Sequence, residues 1–140
     1  MKKFSNNTYT IKDILKVKLS PGGKMPQYVD NNTTQLFLMA NENVVIAPGA
    51  VSIVNTGISI ELKTNVLIDI QLCQIEALSH RNLYILNHPG TIDGDYRGEI
   101  KVVLYNFNKE SVNILVSDIV GRLSFNMIKK IQMELYSTQK

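Results

Sequence analysis

The chain has 140 residues, 44% of them apolar and 19% charged, which fits one globular domain and leaves little for a second. A single cysteine, Cys73, excludes an internal disulfide framework and any multi-cysteine metal site, and two histidines, His80 and His88, leave little for a zinc centre. A net charge of +3, from 12 Lys and three Arg scattered against 12 acids, is too mild to argue for a nucleic-acid partner.

Met1-Lys2-Lys3 leads into polar Ser5-Asn6-Asn7-Thr8 rather than an apolar targeting core, and no apolar run approaches the roughly 18 residues that span a bilayer. No membrane partner is expected. A free cysteine without a signal peptide points to a reducing, cytoplasmic setting. The 16 Ile and 12 Val against four Ala favour strands, because branching at Cβ costs rotamer freedom in helices and packs well on a pleated sheet.

In chain order, residues 1–30 read as one strand, Thr10 to Leu19, and then a loop broken by Pro21-Gly22-Gly23 and Pro26. The polar stretch Val29–Thr34 reads as a surface loop. From Gln35 onward, short apolar runs alternate with turns: Leu36–Ala40, Val44–Ile46, Ala50–Thr56, Ile58–Leu62, Val66–Ile75, Leu83–Leu86, Ile100–Tyr105 and Val112–Val116. That spacing predicts an all-β sandwich or barrel. The tail allows either a short helix over Ser124–Tyr136 or a last strand through Leu123–Ile128.

One segment is more specific: Gly90-Thr91-Ile92-Asp93-Gly94-Asp95-Tyr96-Arg97-Gly98-Glu99, followed by Ile100 to Asn106. It combines glycines that tolerate close approach, two carboxylates that would share a face of an extended strand, a flat ring and a fixed cation. The segment resembles the third motif of the trimeric dUTP pyrophosphatase (dUTPase) family, Gly-x-Ile-Asp-x-Asp-Tyr-Arg-Gly with a strand ending near Leu-x-Asn. Gly90, Ile92, Asp93, Asp95, Tyr96, Arg97, Gly98, Leu104 and Asn106 stand where that pattern asks. Ile46-Ala47-Pro48-Gly49, Thr56-Gly57-Ile58 and Ser117-Asp118-Ile119-Val120-Gly121-Arg122-Leu123 are similar to further family motifs. The resemblance is strongest over residues 36–128 of a single domain, 1–140.

The resemblance implies a distorted jelly roll assembled as a threefold homotrimer, with sites between subunits that hydrolyse dUTP to dUMP and diphosphate. It implies that Asp93 orients the attacking water and contacts the sugar. It also implies that Tyr96 packs on deoxyribose and that Asn87 lies by the hairpin that reads uracil. Gly90, Ile92 and Arg97 complete the expected nucleotide site. Mg²⁺ is implied only as the companion of a bound triphosphate.

The phosphate-binding motifs depart from the family. Gln35-Leu36-Phe37-Leu38 stands where the first motif carries an Asp. Gln74-Ile75-Glu76-Ala77-Leu78-Ser79 replaces the Pro-Arg-Ser-Gly of the second. Ile119 and Arg122 replace the Arg and Gln of the fourth. Residues 129–140 contain neither the Gly nor the Phe of the family's closing lid. Arg81 and Arg122 are left as candidate phosphate contacts.

Losing one preorganised donor typically costs about 2.7–4 kcal/mol of transition-state stabilisation. The expectation is therefore a protein that binds a nucleotide or nucleotide-derived signal with little or no hydrolysis. The alternatives are a divergent, active dUTP pyrophosphatase and a trimeric protein-interaction module. Cys73 reads as a core residue, His88 as a solvated loop residue, Lys129-Lys130 as a solvated pair, and Tyr84 and Phe125 as packing residues.

Overall fold

The computed structural model describes residues 13–28 and 35–138. Strands dominate: β1 (Ile14–Leu19), β2 (Gln27–Tyr28), β3 (Leu36–Met39), β4 (Val44–Ile46), β5 (Val51–Asn55), β6 (Ile58–Lys63) and β7 (Ile68–Cys73) precede a short helix, α1 (Glu76–His80). Then come β8 (Leu83–Ile85), β9 (Gly90–Ile92), β10 (Lys101–Asn106), β11 (Val112–Ile114) and β12 (Ile119–Met127). They form a five-stranded sheet, β2-β3-β12-β7-β9, a three-stranded sheet, β5-β10-β8, and the pairs β1-β6 and β4-β11. Their pairings are antiparallel. The strands expected from the Ile/Val bias are present, in the all-β jelly roll that the family resemblance implies.

Alternation places the core. In β10, Val102, Leu104 and Asn106 are buried while Lys101, Val103 and Tyr105 turn outward. Leu38, Ile46, Val54, Ile58, Leu83, Ile114, Val120 and Leu123 meet them in one interior cluster. Cys73 is buried and unbridged, as its alternating strand predicts.

Asn106 is the polar exception in this interior. Its amide nitrogen donates to the Ile46 carbonyl (2.9 Å) and the Glu110 carbonyl (2.9 Å), and its oxygen accepts from the Asn108 amide (2.8 Å). Those bonds tie β10 to the end of β4 and to the following turn, and they offset the desolvation of the side chain.

Two glycines fix the other end of the sandwich. The Ser20 amide donates to the Gly57 carbonyl (2.8 Å), and a Cβ on Gly23 would come within 2.5 Å of the same oxygen. Gly57 has φ +71° and lies against Asn41, so a side chain there is both strained and crowded.

The ends of the chain differ from the sequence expectations. The final strand is longer than Leu123–Ile128, starting at Ile119, because β12 is sandwiched between β3 and β7. The helical alternative is not adopted, and residues 129–138 carry no regular secondary structure. The short helix α1, anchored by buried Leu78, lies where only a divergent motif had been read. The Thr10–Lys12 part of the first strand and the Val29–Thr34 loop lie outside the described residues.

The outer face of the three-stranded sheet is apolar. Ile53 stands opposite Val103, and Tyr105 stands opposite both Val51 and Tyr84. Phe107, 66% exposed, packs on Tyr84 and Tyr105 with ring centroids 6.3 and 5.8 Å away. No helix among the described residues is long and apolar enough to cross a membrane.

Candidate functional site

The segment between β9 and β10 folds over a cleft of about 360 Å³. Extended backbone ends at Ile92, and the chain reverses in a turn closed by the Tyr96 amide donating to the Asp93 carbonyl (3.0 Å). Asp93 and Asp95 therefore do not share a strand face, contrary to the extended reading. The turn separates them.

The Tyr96 hydroxyl donates to the Glu99 carbonyl (2.7 Å), which lays the ring over Gly98. Glu99 in turn accepts from the Gly57 amide (2.9 Å), so the hairpin is fastened to the turn between β5 and β6. Gly90 has no room for a side chain, since a Cβ would collide with the Asn87 carbonyl.

The cleft is lined by Leu72, Asn87, Gly90, Thr91, Ile92, Asp93, Tyr96, Glu99, Ile100 and Lys101. Of the sequence-predicted residues, Asn87, Gly90, Ile92, Asp93 and Tyr96 thus come together. Asp93 is exposed, and its carboxylate has no hydrogen bond or ion pair among the described residues. It is free to accept from a hydroxyl or a water. Leu72, Thr91, Glu99, Ile100 and Lys101 were not singled out from sequence. Thr91 lies inside the motif, Glu99, Ile100 and Lys101 follow it by one to three positions, and Leu72 reaches the cleft because β7 pairs with β9 opposite Gly90.

Two predicted residues stand elsewhere or act differently. Arg97 folds back on its own turn, donating to the Gly94 carbonyl (2.7 Å) and lying 4.0 Å from Glu61. It clasps the turn and does not line the cleft. The Asn87 amide is engaged with β10, donating to the Lys101 carbonyl (3.2 Å) and accepting from the Val103 amide (3.1 Å). It shapes the wall of the cleft. His88 is exposed, in keeping with a solvated loop residue, and its Nδ1 also accepts from the Gln74 backbone amide (2.9 Å) at the end of β7.

The divergent second motif is a structural bracket. The Gln74 side chain donates to Ser79 Oγ (3.0 Å) and the Leu83 carbonyl (3.0 Å) and accepts from the Ile85 amide (2.9 Å). Its amide is spent on holding α1 against β8. Ile75 is buried, and Glu76 sits exposed in the first turn of α1.

The two candidate phosphate arginines differ. Arg81 donates to the Asn113 carbonyl (2.8 Å) and lies 3.7 Å from Asp118. Arg122 is half-buried on β12, between Phe37 and Cys73, and donates through Nε to the Gln74 carbonyl (3.3 Å). No group of three or more His, Cys, Asp or Glu among the described residues converges on a metal site.

Comparison with known proteins agrees with this architecture. The dUTPase family model matches residues 23–140. A deoxyuridine 5′-triphosphate nucleotidohydrolase from Thermoanaerobacter is 36% identical over 135 residues, 91% of this chain and 90% of that protein. The enzyme of the same name from Helicobacter pylori is 35% identical over 105 residues, covering 75% of this chain and 72% of its own length. Among solved structures, a dUTPase mutant from phage phi11 of Staphylococcus aureus, described with a structural Mg(II) ion, superimposes with a TM-score of 0.77 at 17% identity. That match covers 91% of this chain and 99% of that one. The Staphylococcus bacteriophage 80alpha dUTPase gives the same TM-score and identity over 91% and 98%. The chain belongs to the dUTPase family.

Proposed function

We propose that the protein is a deoxyuridine nucleotide hydrolase that converts dUTP and water into dUMP and diphosphate. The observation that carries this reading is the unpaired Asp93 carboxylate beside the fixed Tyr96 ring. It occurs in a chain 36% identical to a protein named as a dUTP nucleotidohydrolase.

In this proposal the deoxynucleoside enters the cleft, with the base against the backbone of the Gly90–Ile92 and Ile100–Lys101 edges. The Tyr96 ring, held by its bond to the Glu99 carbonyl, packs on the sugar where a 2′-hydroxyl would collide. Asp93 accepts a proton from a water aimed at the α-phosphorus. The new bond forms from that water oxygen, the bond to the bridging oxygen breaks, and diphosphate leaves in line. Gly90 and Ile92 form the floor, and Arg97 keeps the Asp93–Tyr96 turn in shape.

Magnesium enters the proposal as the companion of the triphosphate. The protein works as a homotrimer in the cytoplasm. The apolar face of Val51, Ile53, Val103, Tyr105 and Phe107 is the surface that a neighbouring copy would cover. Lys101 points the same way as Val103 and lines the cleft, so a copy docked there would stand beside the nucleotide.

A second reading, nucleotide binding without turnover, is favoured by one observation. Gln74 is locked in its bracket and Glu76 follows it, where the family resemblance asks for an arginine and a serine. Release of diphosphate from dUTP, compared with UTP under the same conditions, separates the two. Turnover of dUTP but not UTP supports hydrolysis with sugar selection, and binding of dUTP without release supports the second reading.

A further inference from the structure

We propose that β1 is a docking edge for an extended peptide of a partner protein, one whose apolar and acidic residues alternate. Among the described residues β1 pairs only with β6, in a two-stranded sheet. Half of its amides and carbonyls therefore face no other strand. Alternation sends Lys16 and Lys18 to one side of this edge and Leu15 and Val17 to the other.

The two sides differ in kind. Lys16 and Lys18 are exposed and line a groove of about 410 Å³ with Ser59 and Arg97. Neither lysine has a hydrogen bond or an ion pair among the described residues. The acid in the groove's lining is Glu61, which stands opposite Lys16 and lies 4.0 Å from Arg97. Three cations thus stand against one acid. On the other side Leu15 and Val17 look into an apolar groove of about 400 Å³, shared with Tyr28, Leu36, Leu62 and Phe125. A strand laid beside β1 alternates its own side chains with the same period, so one set meets the apolar groove and the other meets the lysines. Main-chain bonds supply affinity, and the charge of the outer set supplies selectivity. Lysines on an edge ordinarily keep other strands away. Here they stand beside a third cation, with an apolar groove behind them, which makes the edge a filter for acidic strands. The lining of the basic groove holds no aromatic ring on which bases could stack, which favours a peptide over a single-stranded nucleic acid.

The test is calorimetric titration of the whole protein with synthetic peptides of about eight residues, enough to span the six residues of β1. One peptide alternates Val and Glu, one holds the same residues as a Val block and a Glu block, and one alternates Val and Lys. The alternating Val/Glu peptide is expected to bind about tenfold or more tightly than the other two, and to shift the backbone amides of Ile14–Leu19 in NMR spectra. The double variant Lys16→Gln, Lys18→Gln should bind it about tenfold more weakly. Absence of binding by the alternating Val/Glu peptide overturns the proposal. Equal affinity for the block peptide does the same, because it reduces the surface to unspecific charge attraction. Tighter binding by oligothymidylate assigns the basic groove to nucleic acid, and tighter binding by a peptide of residues 129–138, whose Ile131, Met133 and Leu135 are exposed, assigns the edge to the tail of a second copy. Either of those results also overturns the proposal.

Discussion

The Tyr96 ring lies so close over Gly98 that a Cβ on Gly98 would stand 2.5 Å from the Tyr96 hydroxyl. Gly98 is therefore the seat of the ring that, in the proposed function, packs on the sugar. Gly98→Ala is expected to push Tyr96 out of place and weaken nucleotide binding by about tenfold, in line with the ~1–3 kcal/mol cost of overpacking. Gly94→Ala is the control, because nothing lies within 4 Å of a Cβ there. Titration of both variants with the non-hydrolysable imido analogue of dUTP checks this, and equal affinities for the two would contradict it.

The Asn87 side chain joins the β8–β9 connection to β10 through Lys101 and Val103. In Asn87→Ala the Val103 amide loses its acceptor, and its hydrogen exchange should accelerate by about tenfold, corresponding to a bond worth about 1.5 kcal/mol. An unchanged Val103 exchange rate would remove Asn87 from the wall of the cleft.

Asn106 holds three chain segments together from inside the core. Asn106→Ala leaves two carbonyls and an amide without partners and is expected to cost about 2–3 kcal/mol, read as a lower urea midpoint with an unchanged slope. The variant's effect on nucleotide binding should be small once it is folded, since Asn106 does not line the cleft.

Ile53, 56% exposed, sits on the apolar face of the β5-β10-β8 sheet, halfway along the edge strand β5. A charge there opposes burial against a neighbour. Light scattering of Ile53→Glu is expected to give the mass of one chain where the unaltered protein gives that of three. A trimer that survives the substitution places the interface on another face.

Much of this was legible because each piece depended on local pattern. The alternation in Val66–Ile75 and Ile100–Tyr105 yields β7 and β10, and the glycine-bounded motif yields the cleft, because both are set by neighbours in sequence. What stayed hidden depended on distant partners. Nothing local in Gln74-Ile75-Glu76 announces a bracket whose bonds end on Ser79, Leu83 and Ile85. The pairing of Arg81 with Asp118 spans 37 positions. Asp93 and Asp95 looked like one face only so long as the strand was taken to continue past Ile92. The departures in the phosphate motifs favoured little or no hydrolysis, whereas the relatives bearing the same fold are named as nucleotidohydrolases.

That tension is resolved by diphosphate release from dUTP with Mg²⁺, measured for the unaltered protein and for Asp93→Asn. The proposed function predicts dUMP and diphosphate in equal amounts from the unaltered protein and a loss of about 100-fold or more in Asp93→Asn, the scale of general-base catalysis. A rate for the unaltered protein no higher than that of Asp93→Asn would contradict it.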